Sequence, residues 1–141
     1  VTGVQTCALP ICRRGSLDRI REGLEAGLEV PVFVDRVVSP SFVPDVARAT
    51  RHLLETEAPT GLYHCVNSGS ATWHEVGQEV ARQLGVVPRF RTMRTAEATL
   101  KAGRPKYCAL SNRRLAHAGF QMPEWRDALT RWLNTTERPT S

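Results

Sequence analysis

A chain of 141 residues, 41% hydrophobic and 23% charged, has room for one domain with a core of its own. No apolar run approaches the ~20 residues that a membrane-crossing helix needs, so no membrane partner is expected. The net charge is +5, and Lys101 and Lys106 are the only lysines among the 19 basic residues. Arg19, Arg51, Arg82, Arg114 and Arg131 are scattered along the chain and fall mostly on the polar sides of predicted helices. Nucleic-acid binding needs a clustered cationic footprint, so the charge reads as solvated faces and no nucleic-acid partner is expected. Cys7, Cys12, Cys65 and Cys108 show no C-x-x-C and no paired spacing, and His52, His64, His74 and His117 do not cluster with them. A reducing, cytoplasmic setting without a metal site is the expectation.

In chain order, Val1–Ile11 lacks an initiator Met and the basic region and apolar core of a signal peptide. It back-translates cleanly to a sequencing-library adapter, so residues 1–12 are expected to be a non-native leader. Ser16–Leu28 follows as a helix with Ser16 at its N-cap and Leu17, Ile20, Leu24 and Leu28 on one stripe, weakened by Gly23 and Gly27. Val30–Val34 reads as a buried strand ending at Asp35, and Arg36–Pro40 as a loop. Val43–Glu55 is a helix with Pro44 early, Asp45 in its positive first turn, and Val46, Ala47, Thr50, Leu53 and Leu54 facing inward.

Gly61–Val66 is a short, mostly apolar run bounded by turn residues, as a covered strand would be. Asn67–Ser70 makes a tight loop, and Thr72 and Glu75 have capping-box spacing. Behind that cap, Trp73, Val76, Gly77, Val80, Ala81 and Leu84 form a helical stripe that Gly85 ends. A strand passing through a short loop into a helix is the building unit of α/β folds. Pro88–Met93 alternates as an edge strand or extended loop, Arg94–Gly103 is irregular, and Tyr107–Leu110 is strand-like. Ser111 caps a helix over Asn112–Ala118 that Gly119 stops, and Pro123 opens a last helix with Trp125, Ala128, Leu129, Trp132 and Leu133 on one face. Residues 135–141 are a polar tail.

The stretch GLYHCVNSG followed by TWHE resembles the G-[IL]-Y-H-x-x-x-S-G-x-x-[ST]-W-x-E segment of the dTDP-4-dehydrorhamnose reductases. These belong to the extended short-chain dehydrogenase/reductase superfamily and use NAD(P)H on a nucleotide-linked keto sugar. VDRVVSPSFVPDVA (Val34–Ala47), GRPKYCALSNRRLAHAGF (Gly103–Phe120) and MPEWRDALTRWL (Met122–Leu133) match in the same order. The resemblance implies an α/β fold: the C-terminal portion of an extended Rossmann-type NAD(P)-binding reductase, truncated at its N-terminus, with residues 13–134 as the substrate-binding portion and the catalytic half missing. The intact parent would use NADPH or NADH to reduce a dTDP-linked 4-keto-6-deoxysugar and would form a homodimer, if any oligomer. A related nucleotide-sugar epimerase or dehydratase, a non-catalytic subunit resembling methionine adenosyltransferase β, and a small stand-alone binding module are the alternatives.

On this resemblance Arg104 pairs with the nucleotide diphosphate. A guanidinium offers a planar fork matched to phosphate oxygens, and Pro105 restricts Arg104 to extended conformations. The other reading of Arg104 is an exposed loop arginine. Lys106 and Tyr107 are weaker neighbours. Asp35 and Ser39 lie near the family's sugar-nucleotide cleft and either touch ligand or serve as a turn residue and a cap. Trp73 either stacks a base or packs in the core. Catalytic residues are not expected: hydride transfer in this family needs a Gly-rich phosphate turn and a Tyr-x-x-x-Lys pair. The chain has no G-x-x-G-x-x-G, and the residues four beyond Tyr63 and Tyr107 are Asn67 and Ser111. No cofactor is expected to bind these 141 residues alone.

Overall fold

The computed structural model describes residues 15–98 and 103–136, so the expected leader, Cys7, Cys12 and the end of the expected tail lie outside the described residues. The chain divides into two compact units, one formed by residues 15–38, 71–98 and 103–109, the other by 39–70 and 110–136.

In the first unit, helix α1 (Ser16–Glu25) buries Ile20 and Leu24. Its cap is Gly15, whose N–H donates to Asp18 Oδ2 at 2.8 Å, so Ser16 is the first helical residue rather than the N-cap. The helix stops earlier than its apolar spacing suggests, because Gly27 turns the chain at φ +65° and leaves Leu28 exposed. Gly23 is explained by packing: a Cβ there would stand 2.7 Å from Val30 Cγ2 on strand β1 (Glu29–Phe33). In β1, Val30 and Val32 are buried while Glu29 and Pro31 are exposed, so one face of the strand is covered rather than both. It pairs in parallel with β4 (Arg89–Met93), Val32 opposite Thr92. One short strand lies within the expected Arg36–Pro40 loop, and another just beyond the expected Asn67–Ser70 loop. Val37–Val38 (β2) pairs antiparallel with Ala71–Thr72 (β3) and in parallel with Tyr107–Cys108 (β5). Two-residue strands carry no periodicity, which is why the first is invisible in the sequence.

Helix α3 (Trp73–Leu84) has the capping box that its sequence announces. Thr72 Oγ1 accepts from the Glu75 N–H at 3.2 Å, Glu75 Oε2 accepts from the Thr72 N–H at 2.6 Å, and Gly85 closes the helix at φ +68°. Val76, Gly77, Val80 and Ala81 are buried. A 3₁₀ turn covers Thr95–Glu97 inside the segment expected to be irregular, of which residues 99–102 lie outside the described residues.

The second unit is built on helix α2 (Val43–Glu55), the five-residue helix α4 (Arg113–His117) and helix α5 (Trp125–Thr136). Its core joins Val46, Ala49, Tyr63, Cys65, Leu115 and Met122. Burial pushes the Cys65 thiol up, against a hydrogen bond with Thr50, as suits a core residue without nucleophilic use. Ala47 and Leu54, expected inward, are exposed; Ala49 takes the inner face instead. Asn112 rather than Ser111 sits at the N-cap of α4, and Ser111 Oγ accepts from the Arg113 N–H at the long distance of 3.5 Å. Helix α5 continues to Thr136, beyond the expected start of the tail.

Gly61–Val66 is extended and buries Tyr63, Cys65 and Val66, but it joins no multi-residue ladder among the described residues. The Asn112 side chain ties its end: Nδ2 donates to the Val66 carbonyl and to Ser68 Oγ, both at 3.0 Å, and just beyond the run the Ser68 N–H donates to the Pro123 carbonyl.

Asp45 is fully buried. Arg131 forks it at 2.7 and 2.6 Å, Arg48 donates to the same carboxylate, and Asn67 Nδ2 donates at 2.8 Å. Burial alone would raise the carboxyl, but the bonds from Arg131, Asn67 and Arg48 outweigh it and hold the group below its ordinary 3.8. A depressed carboxylate stabilises the fold above the ordinary value, and that contribution is lost as pH falls through the lower folded value. Arg131→Ala is expected to cost about 3 kcal/mol in urea denaturation at pH 7, the usual penalty for breaking a buried pair. Asp45→Asn is expected to flatten the acid limb of the stability profile below pH 3.8; an unchanged limb in that variant would assign the acid sensitivity elsewhere.

Candidate functional site

In the first unit, β1 ends at Phe33 and the chain turns through Asp35 and Arg36 into β2. Asp35 is half-buried, and its Oδ1 accepts from both the N–H and the hydroxyl of Thr95 at 2.9 Å. Lys106 Nζ lies 3.7 Å from Oδ2. Desolvation pushes the carboxyl up, and the Thr95 bonds together with Lys106 overcome it, so Asp35 lies below the usual carboxylate range.

The Val37 N–H donates to the Lys106 carbonyl at 2.8 Å, and Val37 pairs with Tyr107. This register lays the Arg104-Pro105-Lys106 segment alongside Asp35 and Arg36. Arg104 is exposed and has no carboxylate partner among the described residues, Lys106 is exposed, and Tyr107 is 71% exposed. Five of the six residues singled out in the sequence, Asp35, Trp73, Arg104, Lys106 and Tyr107, therefore belong to one unit. Ser39 belongs to the other, buried, with its Oγ accepting from the Leu110 N–H at 3.0 Å. It caps no helix: α2 has Phe42 at its N-cap, with the Phe42 N–H bonded to Asn67 Oδ1 at 2.8 Å.

Beside this turn lies a cavity of about 220 Å³ whose lining includes Arg19, Ile20, Phe33, Arg36, Trp73 and Met93. The Arg36 guanidinium stands 5.5 Å from the Phe33 ring centroid, and its Nε is buried without a hydrogen-bond partner. Ligand pockets for whole drug-sized molecules run ~300–1,000 Å³, so this space suits one ring of a larger ligand. Aromatic faces would stack a planar ring, and the orphaned N–H would meet a carbonyl or an anionic oxygen. Trp73 is half-buried on the cavity wall, not in the fully buried core. Arg36, Phe33 and Thr95 were not singled out in the sequence. Arg36 carried one signal, its place directly after Asp35, which nothing else separated from the other arginines.

Helices α1, α2, α3 and α5 each carry an acid in the first turn, Asp18, Asp45, Glu75 and Asp127, where a dinucleotide's pyrophosphate would call for free N–H groups. The Tyr63 hydroxyl donates to the Pro59 carbonyl at 2.8 Å and has no lysine four residues on. Among the described residues no group of three His, Cys, Asp or Glu is placed to hold a metal ion, and no helix is long and apolar enough to cross a membrane.

These features define the class: an α/β protein with a ring-sized cavity rimmed by guanidinium groups. The sequence model of the RmlD substrate binding domain matches residues 13–138, and the chain belongs to that family. It is 33% identical over 109 residues to the spore coat polysaccharide biosynthesis protein SpsK of Bacillus subtilis, covering 77% of this chain and 38% of that protein. It is 34% identical over 114 residues to the dTDP-4-dehydrorhamnose reductase of Streptomyces griseus, covering 76% and 38%. Among solved structures, the dTDP-4-dehydrorhamnose reductase of Bacillus anthracis in complex with NADP matches at a TM-score of 0.77 and 26% identity, over 90% of this chain and 45% of that one. The chain thus spans about 38% of the length of the curated relatives it matches.

An orphaned buried donor lowers stability, so replacing Arg36 with an apolar residue of similar length should relieve it. Arg36→Met is expected to raise folding stability by about 1 kcal/mol in chemical denaturation. A loss of that size instead would mean that Arg36 has a structural partner.

Proposed function

We propose that the chain is the substrate-binding portion of an NAD(P)H-dependent reductase of dTDP-linked 4-keto-6-deoxysugars, of the dTDP-4-dehydrorhamnose reductase type in dTDP-rhamnose biosynthesis. The family match over residues 13–138 carries this reading, and the reductases among the relatives support it. In it Arg104 engages the diphosphate, with Lys106 and Tyr107 beside it. The cavity takes the planar ring between Trp73 and Phe33, and Arg36 Nε donates to a ring carbonyl. The Asp35 and Ser39 oxygens are already engaged by Thr95 and Leu110, which supports framing roles for both. NADPH or NADH and the proton donor belong to a part of the longer protein outside these 141 residues, a cytoplasmic enzyme in this reading.

Titration calorimetry with thymidine diphosphate tests it. The chain is expected to bind the nucleotide saturably, and Arg104→Ala to weaken binding about tenfold, the loss of one charge-assisted contact. Thymidine, which lacks the phosphates, should not discriminate between the two proteins. No binding of thymidine diphosphate, or equal binding by the variant, would sink the assignment.

A further inference from the structure

We propose that the open edge of β1 reads the ring: the Pro31 carbonyl and the Phe33 N–H form an acceptor–donor pair that selects a pyrimidine imide, as in thymine or uracil, over cytosine. This deepens the reading of the cavity above and rests on it. The register of the β1–β4 ladder decides which backbone groups are available. Phe33 stands opposite Met93, and the Val34 N–H donates to the Met93 carbonyl at 3.1 Å. In a parallel pair, alternate residues of a strand turn their N–H and C=O toward the neighbour. Val30, Val32 and Val34 therefore face β4, and Glu29, Pro31 and Phe33 turn their backbone groups the opposite way. Among the described residues no second strand pairs with that edge, and neither the Pro31 carbonyl nor the Phe33 N–H has a hydrogen-bond partner.

The cavity lies along this edge. Four consecutive residues, Val30–Phe33, line it together with Ile20 and Trp73. One face of a strand would contribute only every second residue, so an unbroken run is the mark of an edge. Pro31 fits the same place: a proline inside a strand is confined to positions where no ladder bond is lost. Its missing N–H leaves a simple pattern, an acceptor at 31 and a donor at 33. Arg36 Nε, buried and without a partner, adds a second donor three residues further on. An incoming β-strand, the usual guest of an open edge, would need the N–H that Pro31 lacks.

A pyrimidine imide matches this pattern. It gives its N3–H to the Pro31 carbonyl and takes the Phe33 N–H on the adjoining ring carbonyl, whose second lone pair remains for Arg36 Nε. Cytosine inverts the code, with an amino donor where thymine has a carbonyl and an acceptor at N3. It would set donor against donor and acceptor against acceptor, and buried polar groups left unmatched are penalised more than matched ones gain.

Titration calorimetry of the whole chain with thymidine, deoxyuridine, deoxycytidine and N3-methylthymidine diphosphates tests the edge. The first two are expected to bind within about threefold of each other, and the last two, which lack an N3–H, at least about tenfold more weakly. In amide-resolved NMR the Phe33 N–H is expected to shift and to exchange more slowly with thymidine diphosphate, and to be unmoved by inorganic pyrophosphate. The Val32 N–H, already facing β4, should keep its protection throughout. Equal affinity for all four nucleotides, or a Phe33 N–H unmoved by bound thymidine diphosphate, would overturn the edge reading; the wider assignment would still stand on the loss seen in Arg104→Ala. Absence of any thymidine diphosphate binding would overturn both.

Discussion

The second unit depends on a buried charge. A carboxylate removed from water is tolerable only when its oxygens are met by donors. Besides the local Arg48, Asp45 meets that condition with residues that no local rule supplies: Arg131 lies 86 positions further on and Asn67 lies 22. Burying it therefore commits α2, the turn after Val66 and α5 to one arrangement. Asn67 extends the commitment, since it also donates to the Pro123 carbonyl at 3.0 Å and accepts from the Phe42 N–H that opens α2. The same economy explains how Gly61–Val66 stays extended. A buried backbone must find partners somewhere, and at Val66 the Asn112 side chain provides one where a neighbouring strand usually would.

The first unit is organised by apolar packing, and its site lies where that packing stops. Val30 and Val32 are covered by α1 and α3, and Gly23 lets α1 approach within the reach of a missing methyl group. Toward the end of β1 the coverage fails: Phe33, Trp73 and Met93 line open space, and Arg36 holds a donor out of water with nothing to give it to. Close-packed interiors rarely leave aromatic rings and an orphaned guanidinium nitrogen together. Local rules are broken most readily where a ligand later repairs them.

What the sequence disclosed followed from how local each feature is. The span of α2, the capping box at Thr72 and Glu75, and the stops at Gly85 and Gly119 rest on residues within one turn of each other, and each was legible. Asp45 was legible only as a first-turn acid favouring the helix dipole, because its main partners are remote. Ala47 and Leu54 were misassigned for a related reason: a helix's apolar positions identify a stripe, while the neighbouring elements decide which edge of it is covered. The Gly61–Val66 run had the composition of a covered strand, and Tyr63, Cys65 and Val66 are buried while Leu62 is exposed, but composition does not reveal what meets its backbone. At the site, Arg104, Lys106 and Tyr107 stood out through one motif. Asp35 stood out as a turn residue, although its bonds to the remote Thr95 were not legible. Arg36 and Phe33 gained meaning only from the cavity they share.

The excess of positive charge was read as solvated helix faces. Arg131 is instead committed to the buried Asp45, but for Arg51 and Arg82 the reading holds, each paired with an acid three or four residues away. Such exposed pairs add at most about 1 kcal/mol each. Leaving an arginine without a carboxylate therefore costs the fold little, while an anion that arrives there finds the whole charge available. In the first unit Arg19 and Arg36 at the cavity and Arg104 beside the β2–β5 pair have no carboxylate partner among the described residues. Asp35, the one acid at this turn, is turned toward Thr95 and Lys106. In this unit carboxylates pair with Arg21 on α1 and Arg82 on α3 and, among the described residues, leave Arg19 and Arg36 at the cavity without one, an uneven distribution of the kind that favours an anion.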